Sequence, residues 1–532
     1  MDITQLSGFF LAIFPLILVF IGIILFRQSG ARMAVIGWIA AILVAVFCFK
    51  TDISVALGAS AYGILKSFGI TISVLFTILM IFIMKEAKAL EVISGAVKTV
   101  ASTKEEQAIF IGIGFGTLVT SLGVVTPSLL PPFLVALGFD PFSAVSVSVM
   151  GYNASCSFAL LSIPITLPVN LFGLDVNLFT YKICLYLPVL STLISFAMLY
   201  VIGGFASIKK GWRIALASGL TLGVSALLFS IVGVPVMLIG VLSGALTMMA
   251  LYAMCRKTRK KDAAPAAQPA QSADSSGKNG NLKKFLRAAS PWLLLITFAL
   301  LISIPQISQK LKVLDGTAVS IFGKPVDFDA LIQPYPWILL STLISIPFIG
   351  ISGGALKKAT KTWVKRILQP FLSYSLFFAM AYIMAWSAMS VSDGKLVPSA
   401  DFNTFNMNMV VASTIAGIFG TSFVYVAAWL GLFGAVVGGS EASSNVMFYP
   451  IQKGIADKIG LTDSQFLTTY AAHANAGGIT SAITPSKINN AVVTLNEKPE
   501  LESRVMSKHM LVVLVIILIT GILNALFVMW NL

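Results

Sequence analysis

The chain has 532 residues, of which 57% are hydrophobic and 11% are charged. A sequence this apolar cannot give a water-soluble globule an ordinary polar surface, so the composition excludes a soluble protein and indicates a polytopic membrane protein. The formal net charge of +15 does not indicate a nucleic-acid partner, because the basic residues are distributed by side of the membrane rather than gathered on one face.

Apolar runs begin near the N-terminus and recur to the end of the chain. A helix needs about twenty apolar residues to cross a bilayer, and residues 8–26 and 508–530 are two such runs. The first run has no signal-peptide cleavage site, so we interpret it as a retained span. We expect an all-α fold with about twelve crossings. If Arg27 and Arg32 are cytoplasmic, about 27 of the 36 Lys and Arg residues lie on that side and both termini lie outside.

The first interruption of this pattern lies at about residues 107–137. The segment FGTLVTSLGVVTPSLLPPFLVALG has Gly, Ser, Thr and Pro in its middle and follows a basic stretch. We predict a re-entrant hairpin that starts from the cytoplasm, because non-helical backbone at membrane depth is tolerated only where protein buries it or water lines it. A broken helix at about residues 141–165 is expected to follow it.

A polar stretch divides the chain into halves. Residues 256–289 are rich in Ala, Pro, Ser and Lys, which predicts a disordered cytoplasmic linker. The first transmembrane half is then 1–255 and the second is 290–532. The second half also contains a predicted hairpin, at about 429–459, and a predicted broken helix, at about 465–490.

The two halves repeat one another. Each has a glycine fifteen residues before an asparagine in an Asn-Ala pair, Gly138 before Asn153 and Gly460 before Asn475. The flanking charges place the second hairpin outside and the first inside, so the repeats have inverted topology. Inverted repeats with broken helices that meet near the midplane are typical of secondary transporters.

Several motifs resemble the bacterial L-lactate permease family. The C-terminal half carries GSEASSNVMF, IADKIGLTDSQFL, HANAGGITSAITPSKI and SKHMLVVLVIILITGIL, and the first half carries GFDPFSAVSVSVMGYNASCSFALLSIPI. The family pattern has an acidic residue before T/S-S-N-[AV]-[LM]-F, then N-[ST]-x-G-G and I-S-P-x-S-I. The resemblance implies a multi-pass carrier of the bacterial inner membrane that imports a 2-hydroxymonocarboxylate, such as lactate or glycolate, with a proton.

The first hairpin departs from the family pattern. The family usually carries E-G-A-A-G-F-G-A-P there, whereas this chain has TSLGVVTPS, with Thr120 near the position of the glutamate. After Asn153, A-S-C-S replaces the family's T-A-P-V. The alternative function is therefore a sodium-coupled carrier of another small carboxylate or oxyanion.

A small carboxylate loses water on entering a membrane site, so it needs replacement donors such as helix N-termini, hydroxyls and amides. The alternative for each such side chain is that it satisfies backbone groups or holds neighbouring helices together. The candidate substrate-binding residues are Thr126, Ser128, Asn153, Ser155, Ser443, Ser444, Asn445, Asn475, Gly477 and Gly478.

Two titratable residues are candidates for coupling an ion. Glu441, in an apolar hairpin, is interpreted as a proton or sodium site, or alternatively as a carboxylate that is solvated or paired with Lys453. His473 lies two residues before Asn475 and is interpreted as a proton site or as a neutral packing residue. Lys487 is expected to attract the anion at the cytoplasmic mouth or to follow the orientation rule alone.

The sequence shows no nucleophile with a base, no metal-ligand set and no phosphate-binding loop in a suitable context. This pattern favours a carrier over an enzyme. It also predicts that the protein has no cofactor and no metal. The expected partners are a small organic anion with a proton or sodium, and the lipid bilayer; no nucleic acid is expected. Residues 182–204 and 212–233 are expected to be peripheral spans, in a scaffold that forms a homodimer by analogy with other hairpin-bearing transporters.

Overall fold

The computed structural model describes residues 3–26, 28–98, 100–123, 126–262, 278–302, 304–315, 318–495, 497–498 and 500–532. Most of these residues are helical. The helices of the first half are α1 Ile3–Ile24, α2 Gly30–Cys48, α3 Ile53–Lys66, α4 Phe68–Glu86, α5 Ala89–Lys98, α6 Lys104–Ile109, α7 Gly116–Ser121, α8 Thr126–Ala136, α9 Pro141–Met150, α10 Ala159–Phe172, α11 Val176–Val232 and α12 Val236–Asp262.

The rest of the chain adds thirteen described helices and four short strands. They are α13 Lys278–Ala288, α14 Ser290–Ile302, α15 Pro305–Asp315, β1 Ala318–Ile321, β2 Lys324–Asp327, α16 Pro334–Ile349, α17 Gly353–Arg366, α18 Leu368–Trp386, β3 Met389–Ser392, β4 Lys395–Pro398, α19 Phe402–Phe405, α20 Met407–Phe419, α21 Phe423–Gly438, α22 Glu441–Ile459, α23 Asp463–Ile479, α24 Pro485–Leu495 and α25 Glu500–Met529.

Within the described part of the chain, eight helices are long and apolar enough to cross a membrane, or up to ten if each of two bent pairs counts as one span. One bent pair is Pro141–Ser155 with Ala159–Phe172, which meet at 48°. The other is Leu282–Ala288 with Ser290–Ile302, which meet at 65°. The expectation of a polytopic helical membrane protein is confirmed at this level.

Helix α11 folds back on itself. Its 57 residues would measure about 85 Å as one straight helix, whereas the hydrocarbon core of a bilayer is about 30 Å thick. The backbone leaves the helical region at Gly203 and Gly204, and Gly204 has a φ of +63° that suits glycine. Beyond this break the Ser218 hydroxyl donates to the Ser195 hydroxyl at 3.1 Å. The two arms therefore run antiparallel and match the spans expected at 182–204 and 212–233. The first arm is not peripheral, because it packs against α23 and against residues 151–158.

Two small β-hairpins correct the expectation of a purely helical chain. Strands β1 and β2 pair antiparallel, as do β3 and β4, and each pair is joined by a two-residue turn. Both turn residues have positive φ in each case, at Phe322 and Gly323 and at Asp393 and Gly394. This geometry matches the right-handed twist of a hairpin, and Asp-Gly is a strong sequence signal for it. The stretch VSDGKLV carries that signal between strands of only four residues each.

The predicted linker at 256–289 is helical at both ends. Helix α12 continues through the basic stretch to Asp262, and α13 begins at Lys278. Lys and Arg are good helix formers and are favoured in the last turn of a helix, where the dipole is negative. The remaining linker residues, 263–277, lie outside the described residues.

The two halves interlock through equivalent elements. In the first half a 3₁₀ segment, Gly151–Phe158, separates α9 from α10, and in the second half another, Thr480–Ile483, separates α23 from α24. Helix α10 packs against α22 of the other half, and α24 packs reciprocally against α8. The first 3₁₀ segment contacts α23, and the second contacts α9. The largest cluster of buried apolar side chains surrounds both 3₁₀ segments, so the two breaks in helical structure lie in the interior.

Candidate functional site

Two helix N-termini point toward the junction of the halves. Helix α22 follows Gly439, whose φ is +72°, and is capped by Ser440, whose hydroxyl accepts from the Ser443 amide at 3.1 Å. Helix α8 begins at Thr126, whose hydroxyl accepts a hydrogen bond from Thr120 at 3.2 Å. The N-terminus of a helix is the positive end of its dipole and carries unsatisfied N–H groups, so both starts favour a negative charge.

A cavity of about 930 Å³ lies between these helix starts. Thr120, Thr126 and Pro127 line it from the segment predicted as the first hairpin, and Gly438 to Ala442 line it from the segment predicted as the second. Tyr152 and Ser481 line it from the two 3₁₀ segments. The two predicted hairpins therefore contribute to one cavity although they are about 300 residues apart in sequence. Residues 124 and 125 of the first tip, and the side chain of Ser128, lie outside the described portion.

Glu441 occupies the first position of α22 and is only 4% exposed. Its carboxylate accepts a hydrogen bond of 2.6 Å from the hydroxyl of Ser157, in the 3₁₀ segment of the other half. The alternative of a salt bridge to Lys453 is wrong. Twelve residues of helix, about 18 Å, separate the two, and Lys453 pairs with Asp457 at 2.8 Å and Asp463 at 3.2 Å.

Ser157 is not among the residues predicted from the sequence, which include the neighbouring Ser155 of the same motif. Ser155 is buried at 2% exposure and has a non-helical φ of −144°. It marks the bend in the chain, and two residues later Ser157 reaches the carboxylate. The available signal was the motif after Asn153, where this chain has A-S-C-S, with two serines, in place of the family's T-A-P-V.

Ser157→Ala should lower initial uptake at subsaturating substrate by about ten- to a hundredfold, because a buried hydrogen bond to a charged group contributes about 1.5–3 kcal/mol. The measurement is uptake per molecule of reconstituted protein. Ser148→Ala is the matched control, since the Ser148 hydroxyl donates to the Val145 carbonyl of its own helix. Equal uptake by the Ser157→Ala and Ser148→Ala proteins would contradict a functional role for the contact between Ser157 and Glu441.

The matched asparagines hold backbone in the same way in both halves. Asn153 donates to the Val149 carbonyl at 2.9 Å, and Asn475 donates to the Ala471 carbonyl at 3.0 Å. In each case the acceptor lies four residues earlier. Each asparagine also donates to a second element, at 3.5 Å for Asn153 to Ile479 and at 3.2 Å for Asn475 to the Ile183 carbonyl of α11.

Asn445 links the two halves. Its side-chain amide donates to the Pro164 carbonyl of α10 at 3.0 Å, and its backbone carbonyl accepts from the Tyr470 hydroxyl at 2.9 Å. Among the described residues, the cavity lining includes none of the asparagines 153, 445 and 475. The structure thus places their amide donors on backbone carbonyls around the cavity rather than in it.

The remaining candidates lie behind the lining. The Ser443 hydroxyl is hydrogen bonded to the Ser440 hydroxyl at 2.7 Å. Gly477 packs beside α21 and the start of α22: a Cβ there would be in ordinary van der Waals contact, 3.5 Å from the Gly431 carbonyl oxygen and 3.6 Å from Cγ of Glu441. Gly478 is buried in the last turn of the same helix. These residues bring α23 close to the start of α22.

His473 lies on α23 and is fully buried against α22. Its Nε2 is hydrogen bonded to the Ser444 hydroxyl at 3.0 Å, and its Nδ1 to the side-chain amide of Gln452. Among the described residues it does not belong to the cavity lining. The structure therefore brings Glu441, but not His473, to the cavity.

The charged residues of the described lining fall into two groups. Lys365, Arg366 and Glu500 are exposed at the mouth, and Glu502 beside them is hydrogen bonded to Asn489. Glu441 and Lys487 lie deeper. The Lys487 ammonium donates to the Ser481 hydroxyl and lies 5.6 Å from the centre of the Tyr152 ring. The mouth lies on the side that the distribution of basic residues assigns to the cytoplasm.

Comparison with known proteins agrees with the motifs. Residues 8–530 match the family model described as L-lactate permease. The chain is 25% identical over 524 residues to the glycolate permease GlcA of Escherichia coli K12, covering 90% of this chain and 88% of that protein. It is 25% identical over 472 residues to the L-lactate permease of Streptococcus iniae, covering 86% and 93%. It is 22% identical over 559 residues to the L-lactate permease of Escherichia coli K12, covering 98% and 96%.

Proposed function

The chain belongs to the L-lactate permease family, and from that membership we propose that it imports a small 2-hydroxymonocarboxylate, lactate or glycolate, together with a proton. The protein is a transporter rather than an enzyme, and a multi-pass protein of the bacterial plasma membrane. The observation that carries the proton coupling is the position of Glu441, buried at a helix N-terminus in the lining of the cavity.

The proposed architecture has about twelve crossings and two re-entrant hairpins in two inverted repeats. The reciprocal packing of α10 on α22 and of α24 on α8 supports the repeat. The same intrahelical bond at Asn153 and at Asn475 supports it as well. The fold-back of α11 at Gly203 supplies two crossings from one continuous segment and supports the larger number of spans.

In this proposal the substrate anion binds between the starts of α8 and α22. A small carboxylate must replace its water of hydration with protein donors, and the N–H groups of a helix start are suited to this. Hydroxyls of Thr120, Thr126 and Ser440 lie in the lining beside these starts. The asparagines and His473 position the helices that carry the donors, and do so from outside the lining.

Glu441 couples the anion to a proton by electrostatics. Two carboxylates that share a site of low dielectric repel one another, and the proton relieves this repulsion. The substrate therefore binds when Glu441 is protonated, and the loss of the proton to the cytoplasm promotes release of the anion. The Thr120 hydroxyl cannot exchange a proton in this way. The coupling of one proton to one anion therefore depends on Glu441, in the segment predicted as the second hairpin.

The proposed function is tested by uptake into proteoliposomes of purified protein. Labelled lactate, glycolate, acetate and a dicarboxylate are supplied, with proton and sodium gradients imposed separately. We expect accumulation of lactate or glycolate that is driven by an inward proton gradient alone. Accumulation that requires sodium, or that favours acetate or the dicarboxylate over both 2-hydroxy acids, would contradict the proposal.

A further inference from the structure

Lys487 occupies a position that the proton-coupling proposal does not use. It lies on α24 directly after the second 3₁₀ segment, and its ammonium donates to Ser481 within that segment. The same ammonium lies over the ring of Tyr152 from the first 3₁₀ segment. Tyr374 of α18 lines the same cavity. All four residues line the cavity, so the lysine joins both halves at a point that faces the substrate space.

The charges in the interior of the cavity balance in a way that depends on Glu441. In the described lining, the charged residues apart from the group at the mouth are Glu441 and Lys487. When Glu441 is ionised, its charge compensates that of the lysine. When Glu441 is protonated, one positive charge remains, and a positive charge in a site of low dielectric attracts an anion strongly. Protonation therefore creates a site whose charge matches one monoanion.

We propose that Lys487 binds the carboxylate of the substrate and thereby determines the preference of the carrier for monocarboxylates. This inference rests on the proposed function and adds to it the residue that recognises the anion. The Lys487 ammonium donates to Ser481 and lies over the ring of Tyr152, and Tyr374 lines the same part of the cavity. The single positive charge gives a stoichiometry of one proton for each monoanion. A second carboxylate on the substrate would meet no further positively charged side chain among the described lining residues apart from those at the mouth.

The test compares half-saturation concentrations for lactate and glycolate uptake in reconstituted protein. Lys487→Met should raise them by about ten- to a hundredfold, as expected for the loss of a hydrogen bond to a charged group. Lys508→Met is the matched control, because Lys508 is an exposed lysine of α25 that lies over the Tyr200 ring outside the described lining. It should leave the half-saturation concentrations within about twofold of the wild type.

Ser481→Ala separates substrate binding from a merely structural role. If Lys487 acts only by holding the second 3₁₀ segment through Ser481, the Ser481→Ala protein should show the same rise as the Lys487→Met protein. That result, or unchanged half-saturation in the Lys487→Met protein, would overturn the inference. We expect a much smaller rise in Ser481→Ala.

The wild-type protein distinguishes the two proposals. If it takes up neither lactate nor glycolate, the proposed function fails and this inference fails with it. If wild-type uptake is normal and the Lys487→Met protein is unaffected, this inference alone fails.

Lys487→Arg provides a second test that does not depend on recovering the Met variant. It keeps the positive charge but carries a larger, planar head group. The space left for the methyl group of lactate is smaller, so the ratio of lactate to glycolate half-saturation should rise by at least about threefold. An unchanged ratio in folded Lys487→Arg protein would show that the head group does not contact the substrate, and would overturn the inference.

Discussion

Glu441→Gln is expected to abolish accumulation of substrate against its gradient while some exchange of substrate across the membrane is retained. Glutamine keeps the volume and most of the hydrogen bonding of the side chain but cannot carry the proton. With one proton for each anion, a pH difference of one unit supports about tenfold accumulation, since a tenfold ratio corresponds to about 1.4 kcal/mol. The ratio in the Glu441→Gln protein should fall to about one, and the pH dependence of uptake should flatten.

The measurement is the steady-state ratio of internal to external substrate in proteoliposomes at several imposed pH gradients, together with counterflow exchange without a gradient. Glu500→Gln is the matched control, because Glu500 is an exposed carboxylate at the mouth of the same cavity. His473→Gln is measured beside it. If His473→Gln alone is uncoupled while Glu441→Gln accumulates substrate normally, the assignment of Glu441 as the proton carrier is wrong.

Gly431→Ala should destabilise the second half severely. At Gly431 a Cβ would lie 2.2 Å from the carbonyl oxygen of His473 and 3.1 Å from Cβ of Ala476. Both atoms belong to α23, so helices α21 and α23 must move apart to admit the methyl group. Forcing extra atoms into a packed interior typically costs about 1–3 kcal/mol and occasionally more, and here the atom that is closest is backbone. We expect less than about a tenth of wild-type uptake per cell, with most of the protein lost on detergent extraction.

The control for Gly431→Ala is Gly417→Ala, which should stabilise the protein rather than destabilise it. Gly417 lies on the preceding helix α20 and is exposed, and a Cβ added there would meet no heavy atom within 4 Å. Gly417→Ala should therefore gain helix propensity, up to about 1 kcal/mol, without a clash. The readout is the fraction of protein that stays monodisperse after heating in detergent. Equal survival of the two alanine proteins would show that α21 and α23 are not in backbone contact at this position.

The apolar runs and the interruptions in them were predictable from the sequence, because both follow from the local chemistry of the chain. The stretch GGSEASSN carries two glycines and a capping serine, and α22 begins there at Glu441. The start of α9 at Pro141 similarly follows the capping residue Asp140. Local backbone preferences of glycine and of capping residues decide such boundaries.

Contacts between distant segments were not predictable in the same way. The partner of Glu441 is Ser157, 284 residues away, and nothing in the sequence distinguishes it from Ser155 two residues earlier. Residues two apart in a helical segment do not share a face, and Ser155 in addition adopts a non-helical conformation. The alternative of a pair with Lys453 rested on its proximity in sequence, but the helix that carries both residues holds them about 18 Å apart.

The sequence by itself determined that this is a helical membrane protein of the lactate permease family, and it identified two interrupted segments, predicted as hairpins, whose residues line one cavity. Hydropathy and turn chemistry are local properties, so a single chain displays them. Only the tertiary structure decided which polar side chains face that cavity: it placed Glu441 and Lys487 in the lining and turned the amides of Asn153, Asn445 and Asn475 to backbone carbonyls. The physical reason is that most buried polar groups find a partner, and the packing of the two halves gives the side-chain N–H donors of these asparagines backbone carbonyls as partners.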